Sequence, residues 1–170
     1  INKGKELGLY PRIHADEFVD SGAAKLAGEL NILSADHLMA VSDEGIQSLA
    51  DGNVIATLLP GTTFFLGKSQ YAPYEKIKNC GVDVALASDF NPGSCNIQSM
   101  PFIITLSCIY LKMDILDAIK SSTYISAKSL MLDDQVGSIE KGKVADILIW
   151  KLNKPEQIPL QTSGGIMKSI

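Results

Sequence analysis

Hydrophobic and polar positions along this chain switch repeatedly between two periods. Short apolar runs of strand character occur at Leu9-Tyr10-Pro11-Arg12-Ile13-His14, Ile32 to His37, Val54-Ile55-Ala56-Thr57-Leu58-Leu59 and Val82-Asp83-Val84-Ala85-Leu86-Ala87. Between them the apolar positions recur at helical spacing. Ala23, Leu26, Ala27 and Leu30 fall at i, i+3, i+4 and i+7, which predicts a helix over 21–30 with that face turned inward. A second helix is predicted over 42–51, where Ser42 is placed as its cap and Gly45 is a local weakness. Pro60-Gly61 closes the third apolar run, and a third helix follows the Tyr71-Ala72-Pro73-Tyr74 loop to about Cys80. The opening residues read as the tail of a helix stopped by Gly4 and Gly8. This is a repeated βα pattern, in which right-handed crossovers bring the C-terminal ends of parallel strands to one face.

The spacing of the strand ends agrees with that pattern. His14 and His37 are 23 positions apart, and Leu59 and Asp89 are 30 apart, against about 30 residues for a βα unit. Four such units amount to half of an eight-stranded barrel of about 250 residues. After Asp89 the period changes. Helices are predicted near 100–112, 114–121 and 124–132, and 137–150 reads as two strands around the turn Glu140-Lys141-Gly142-Lys143. From Leu152 onward, with Pro155, Pro159 and Gly164-Gly165, an irregular tail is expected.

Composition narrows the setting. The chain has 170 residues, 46% of them hydrophobic, and a mean hydropathy of +0.14, enough to bury a core. No apolar run approaches the roughly 20 residues that span a bilayer, and residues 1–6 lack the apolar stretch of a signal peptide. Ile1 is not a start methionine, so a piece of a longer protein is expected. Cys80, Cys95 and Cys108 are odd in number and form no CxxC pair, which fits a reducing cytoplasm. A net charge of −4 without a basic stripe excludes a nucleic-acid surface and leaves a small molecule as the expected partner.

The candidate chemistry lies at the strand ends. Asp89 sits where an apolar run gives way to the Gly/Pro loop Ser88-Asp89-Phe90-Asn91-Pro92-Gly93-Ser94, and both histidines of the chain, His14 and His37, close strand-like segments. Strand ends are where an α/β barrel presents metal ligands and proton carriers. Each residue alone has a plainer reading: Ser88-Asp89 as a helix cap, either histidine as structural, Asp16 as a surface or loop-capping group. Ser94 has no Gly-x-Ser-x-Gly elbow, and Gly61 and Gly67 form no phosphate-binding fingerprint. Cys95 reads as a small buried filler, and Tyr71 and Tyr74 as loop packing. Arg12 is set aside as a carboxylate clamp, on the ground that strand alternation turns it from His14's immediate neighbours.

Taken together, Ile13-His14-Ala15-Asp16-Glu17, Ala35-Asp36-His37, Leu59-Pro60-Gly61-Thr62 and Ser88 to Ser94 resemble the imidazolonepropionase family, amidohydrolase-superfamily enzymes of histidine breakdown. Val136 to Ile147 is similar to the superfamily's return from its barrel to a small β-sandwich. The resemblance implies an α/β fold: the C-terminal half of a (β/α)8 TIM-type barrel of the metal-dependent amidohydrolases, strands 5–8 over residues 1–132, plus part of a β-sandwich over 133–170. It implies one zinc or iron ion, with His14 and Asp89 as ligands. Glu17 would handle water and substrate, His37 would polarise or protonate the substrate, Asp89 would carry the proton, and Asn91, Gly93 and Ser94 would touch substrate or product. The family's His-x-His ligand pair has no counterpart here, so an N-terminal half is needed as a partner, and a homodimer is allowed. The implied reaction is hydrolysis of the cyclic amide of 4-imidazolone-5-propanoate to N-formimidoyl-L-glutamate. A heterocycle deaminase would use His14, His37 and Asp89 equally well, although Asn91-Pro92-Gly93-Ser94 favours the first. A non-catalytic fragment is the reading if the 170 residues are the whole chain.

Overall fold

The computed structural model describes residues 1–161 and the backbone of 166–169. In chain order the elements are α1 (Asn2–Glu6), β1 (Arg12–Ala15), α2 (Ala23–Glu29), β2 (Ser34–His37), α3 (Asp43–Asp51), β3 (Ile55–Leu58), α4 (Pro60–Phe65), α5 (Tyr74–Asn79), β4 (Val84–Leu86), α6 (Met100–Tyr110), α7 (Ile115–Ser122), α8 (Tyr124–Lys128), β5 (Leu148–Trp150), a 3-10 turn (Pro155–Leu160) and β6 (Ile166–Ser169). The chain divides into two units, Ile1–Leu58 with Gln70–Ala85, and Leu59–Ser69 with Leu86–Ile170. No helix among the described residues is long and apolar enough to cross a membrane.

The first unit is built on a sheet of order β1-β2-β3-β4. β1 pairs with β2 and β2 with β3 in parallel, with His14 opposite Asp36 and Asp36 opposite Thr57. The Asp83 carbonyl, just before β4, accepts from the Ala56 amide at 2.9 Å. Side chains alternate across a pleated strand, so Arg12, His14, Ser34, Asp36 and Thr57 share one face while Ala15, Ala35 and Ala56 point the other way. On the polar face the Arg12 guanidinium lies 3.6 Å from Asp36 Oδ1 and donates to Thr57 Oγ1 at 3.4 Å, and Ser34 Oγ donates to Asp36 at 2.9 Å. This corrects the ground on which Arg12 was set aside. With a period of two, Arg12 and His14 lie on the same face; Arg12 is engaged instead by Asp36 and Thr57.

Small residues decide how the helices pack. The face predicted for α2 included Leu26, which is 42% exposed; the buried residues are Ala24, Ala27 and Gly28. The reason is the close approach of α3. A Cβ on Gly28 would collide with the backbone carbonyl of Ser48, and one on Gly45 would meet Val41 Cγ2 at 3.0 Å and Ala24 Cβ at 3.2 Å. Gly45 is therefore a contact point rather than a flaw in the helix. Ser42 caps α3 as expected, accepting from the Gly45 amide.

Asp16, at the end of β1, is buried, with 4% exposure, and does cap a loop. Its Oδ1 accepts from the Ser21 amide at 2.9 Å, the Ser21 hydroxyl at 2.8 Å and the Ala23 amide at 3.2 Å, and Oδ2 accepts from the Ala24 amide at 3.0 Å. The residue at the formal cap of α2 is Gly22, which has no side chain to offer. Asp16 supplies the missing acceptor from a strand end, binding donors that would otherwise be unmatched. Asp16→Ala is expected to cost about 2 kcal/mol and to lower the thermal midpoint by roughly 4–8 °C in calorimetry. Asp16→Asn, with a single acceptor oxygen, should lose about half as much.

The second unit contains α4, the loop after β4, and α6 to β6. Ser99 caps α6 and Asp114 caps α7, each accepting a backbone N–H through its side chain. The α6 helix buries Ile103, Ile104 and Leu106, its Phe102 ring meets Phe64 of α4 edge-on at 5.6 Å, and Thr105 donates to the Pro159 carbonyl. The two-strand pattern expected over 137–150 forms differently. Only 148–150 is a strand, and its partner is β6, antiparallel, while 140–143 is a turn closed by the Lys143 amide on the Glu140 carbonyl at 3.2 Å. A tail expected to be irregular thus contains a 3-10 turn and a strand, because pairing with β5 comes from a segment distant in sequence. The Gly164-Gly165 signal lies outside the described residues.

Candidate active site

In the first unit the two histidines meet at the sheet's C-terminal edge. His14 is exposed on β1, whereas His37 ends β2 with 3% exposure. His37 is in register with Ala15, so regular alternation would send its ring to the face opposite His14. The backbone breaks that alternation: His37 and Leu38 both adopt left-handed conformations, φ 78° and 60°. This geometry is uncommon outside glycine. The result is a contact of 2.8 Å between His14 Nδ1 and His37 Nε2, with ring centroids 4.9 Å apart. Glu17, on the turn after β1, places Oε1 3.6 Å from His37 Nδ1. One donor atom from each of these three side chains lies within 4.8 Å of the others.

Of these three, His14 fits a metal ligand: an imidazole suits an ion of the zinc or iron type, and ligating histidines characteristically give their second ring nitrogen to a hydrogen bond, as His14 Nδ1 does toward His37. The histidine contact requires one ring to donate and the other to accept. With the proton on His14 Nδ1, His14 Nε2 keeps its lone pair and the His37 proton faces Glu17 from Nδ1.

In the second unit Asp89 also adopts a left-handed backbone, φ 52°. It caps no helix, since α6 begins at Met100 with Ser99 as its cap. Thr62, 1% exposed on α4, donates through Oγ1 to Asp89 Oδ2 at 2.6 Å. The loop that follows is held from within. Asn91 Nδ2 donates to the Asp89 carbonyl at 2.7 Å and to Ser94 Oγ at 2.9 Å, while its Oδ1 accepts from the Gly93 and Ser94 amides at 2.9 and 2.8 Å. The Ser94 hydroxyl also lies 3.2 Å from the same Oδ1. Cys95, fully buried, bonds through its sulfur to the Ser88 carbonyl.

The structure thus gathers His14, Glu17 and His37 in one unit and Asp89, Asn91, Gly93 and Ser94 in the other. Sequence reasoning missed the direct contact of the two histidines, the layer formed by Arg12, Asp36 and Thr57, and the hydroxyl of Thr62. Period-two counting from His14 marks Arg12; Thr62 stood in a quoted motif without a role. On α6, burial and then the Asp114 carboxylate push the Cys108 thiol up, away from the reactive thiolate.

Two imidazoles and one carboxylate thus meet at the C-terminal ends of adjacent parallel strands in a repeated βα fold. Residues 12–168 match the Amidohydrolase family, and the chain belongs to it. Over 168 residues the chain is 45% identical to an imidazolonepropionase of Phocaeicola vulgatus, covering 99% of this chain and 40% of that protein. It is 48% identical over 149 residues to an imidazolonepropionase of Bacteroides thetaiotaomicron, covering 88% of this chain and 36% of that protein. The chain therefore spans about 40% of the length of such curated relatives. Among solved structures, an adenosine deaminase from Xanthomonas campestris with bound zinc superposes with a TM-score of 0.81 at 18% identity, covering 99% of this chain and 45% of that one. The fold is that of the (β/α)8 amidohydrolase barrel, of which this chain carries the C-terminal half.

Proposed function

We propose that this chain is part of a cytoplasmic metallohydrolase that opens the cyclic amide of 4-imidazolone-5-propanoate to N-formimidoyl-L-glutamate. The observation that carries the reading is the cluster of His14, Glu17 and His37, with ring nitrogens 2.8 Å apart at two adjacent strand ends. The 45% identity to a named imidazolonepropionase supports the choice of substrate. On this reading residues 1–132 are half of the barrel and 133–170 return to a small β-sandwich. The partners are a small-molecule substrate, the remaining portion of the enzyme, and a second copy in a homodimer.

His14, through Nε2, and Asp89 would hold one zinc or iron ion. When bound, the ion would bring the pKa of a water to about 7 and polarise the substrate carbonyl. Asp89 takes the water's proton as oxygen adds to the carbonyl carbon, then passes it to the ring nitrogen as the C–N bond breaks. The products are a carboxylic acid, which releases its remaining proton to solvent to become a carboxylate, and an open formimidoyl N–H, so the oxygen and both hydrogens of one water are accounted for. Glu17 orients the water and the ring N–H. On this reading His37, whose Nδ1 faces Glu17, is the group that polarises or protonates the substrate. Asn91, Gly93 and Ser94 touch substrate or product on this reading, donating and accepting hydrogen bonds without much bulk.

The test uses the complete enzyme with imidazolone propanoate and, separately, guanine. Ring opening of the first, no ammonia from the second, and about one zinc or iron per chain are expected. Ammonia from guanine without ring opening would transfer the assignment to a deaminase.

A further inference from the structure

We propose that Thr62 is a positioning residue for Asp89: its hydroxyl fixes Oδ2, so that the carboxylate presents Oδ1 to the reacting centre. The inference rests on the reading of Asp89 as the site carboxylate. A 2.6 Å O–H···O contact to a carboxylate is in the range of a charge-assisted bond, which is both short and directional. Thr62 is 1% exposed, so water does not compete for the contact.

The surrounding residues hold donor and acceptor as one piece. Pro60 opens α4, where its fixed φ suits a helix start and no N–H is required. Gly61 lets that start press against its neighbours: a Cβ there would stand 2.7 Å from Ile103 Cδ1, 3.3 Å from Cys95 Sγ and 3.4 Å from the Ser88 carbonyl oxygen. Cys95 in turn ties the loop back through its bond to the Ser88 carbonyl. Asp89's own backbone is left-handed, so its carboxylate is directed from the backbone as well as by Thr62. Leu59-Pro60-Gly61-Thr62 thus acts as a bracket. Proline starts the helix, glycine brings it close, and threonine grips the carboxylate.

Partners of this kind change metal affinity or activity by about 10–100-fold when removed. In the complete enzyme loaded with zinc, Thr62→Val, which keeps the shape and removes the donor, is expected to lower kcat by about that factor with KM unchanged. Chelator competition should show weaker zinc binding, and the thermal midpoint should hold. Thr62→Ser, which keeps the donor, should restore both kcat and zinc affinity. A merely structural role would instead move the midpoint and leave kcat and zinc affinity near the parent; that result, or Ser failing as badly as Val, overturns the proposal. If Thr62→Val does not fold, Thr62→Ala is measured in its place on the same criteria. Asp89→Asn separates the two levels of the argument. If it loses zinc and activity while Thr62→Val remains normal, only the inference fails. If Asp89→Asn itself keeps both, the reading of Asp89 fails first.

Discussion

His14→Ala in the complete enzyme is expected to remove the bound metal and lower activity by roughly 10³-fold or more, because it deletes a ligand and releases a second catalytic group together. The His14 ring is within 2.8 Å of His37 through Nδ1, so its loss also frees the buried ring that Glu17 faces. Stability should hardly change, since His14 is exposed and lies outside the packed core. His37→Gln is the informative contrast. It leaves His14 Nε2 able to bind, so metal content should persist while the rate falls by about 10²–10³-fold. Elemental analysis with steady-state kinetics decides between them. Full metal content and near-parental rates in His14→Ala would remove the basis for assigning it as a ligand.

Gly28→Ala should destabilise the protein, although helix propensity alone argues the reverse. Within a helix, alanine is favoured over glycine by about 1 kcal/mol. Against that, the new methyl group would fall on the backbone carbonyl of Ser48, and neither partner is a flexible side-chain tip that could swing away. α2 and α3 would have to separate, and overpacking of this kind costs about 3 kcal/mol. The sign of the measured change therefore tests which effect governs the site. A drop of roughly 5–10 °C in the thermal midpoint is expected. Leu26→Ala, at an exposed position on the same helix, should stay within about 0.5 kcal/mol. An unchanged or raised midpoint in Gly28→Ala would show that the close approach of the two helices is not essential.

These two outcomes mark where sequence reasoning succeeded and where it stopped. The βα alternation was legible because apolar runs of strand length and helical periodicity are local signals. β2 was expected over 32–37 and spans 34–37; the third predicted strand likewise contracts by one residue at each end. Caps at Ser42 and Asp16 were legible because the acceptor chemistry belongs to the side chain itself. Leu26 was misassigned to the buried face because periodicity says which residues share a side, not which neighbour approaches it. The hairpin expected over 137–150 failed for a related reason: a turn sequence identifies a turn, but the partner of β5 comes from elsewhere in the chain.

The sequence by itself determined the repeating strand and helix units, the placement of His14, His37 and Asp89 at strand ends, and the family to which the chain belongs. Only the tertiary structure decided which of these groups touch. A left-handed backbone at His37 carries its ring across the sheet to His14, a move that ordinary strand alternation forbids. Thr62 reaches Asp89 across 27 positions, and Arg12 reaches Thr57 across 45. Spacing along a chain fixes the faces of local elements, because those depend on backbone periods. Contacts between distant side chains depend on how closely the elements pack, and here that distance is set by glycines at Gly28, Gly45 and Gly61 whose role appears only when a Cβ is placed against their neighbours.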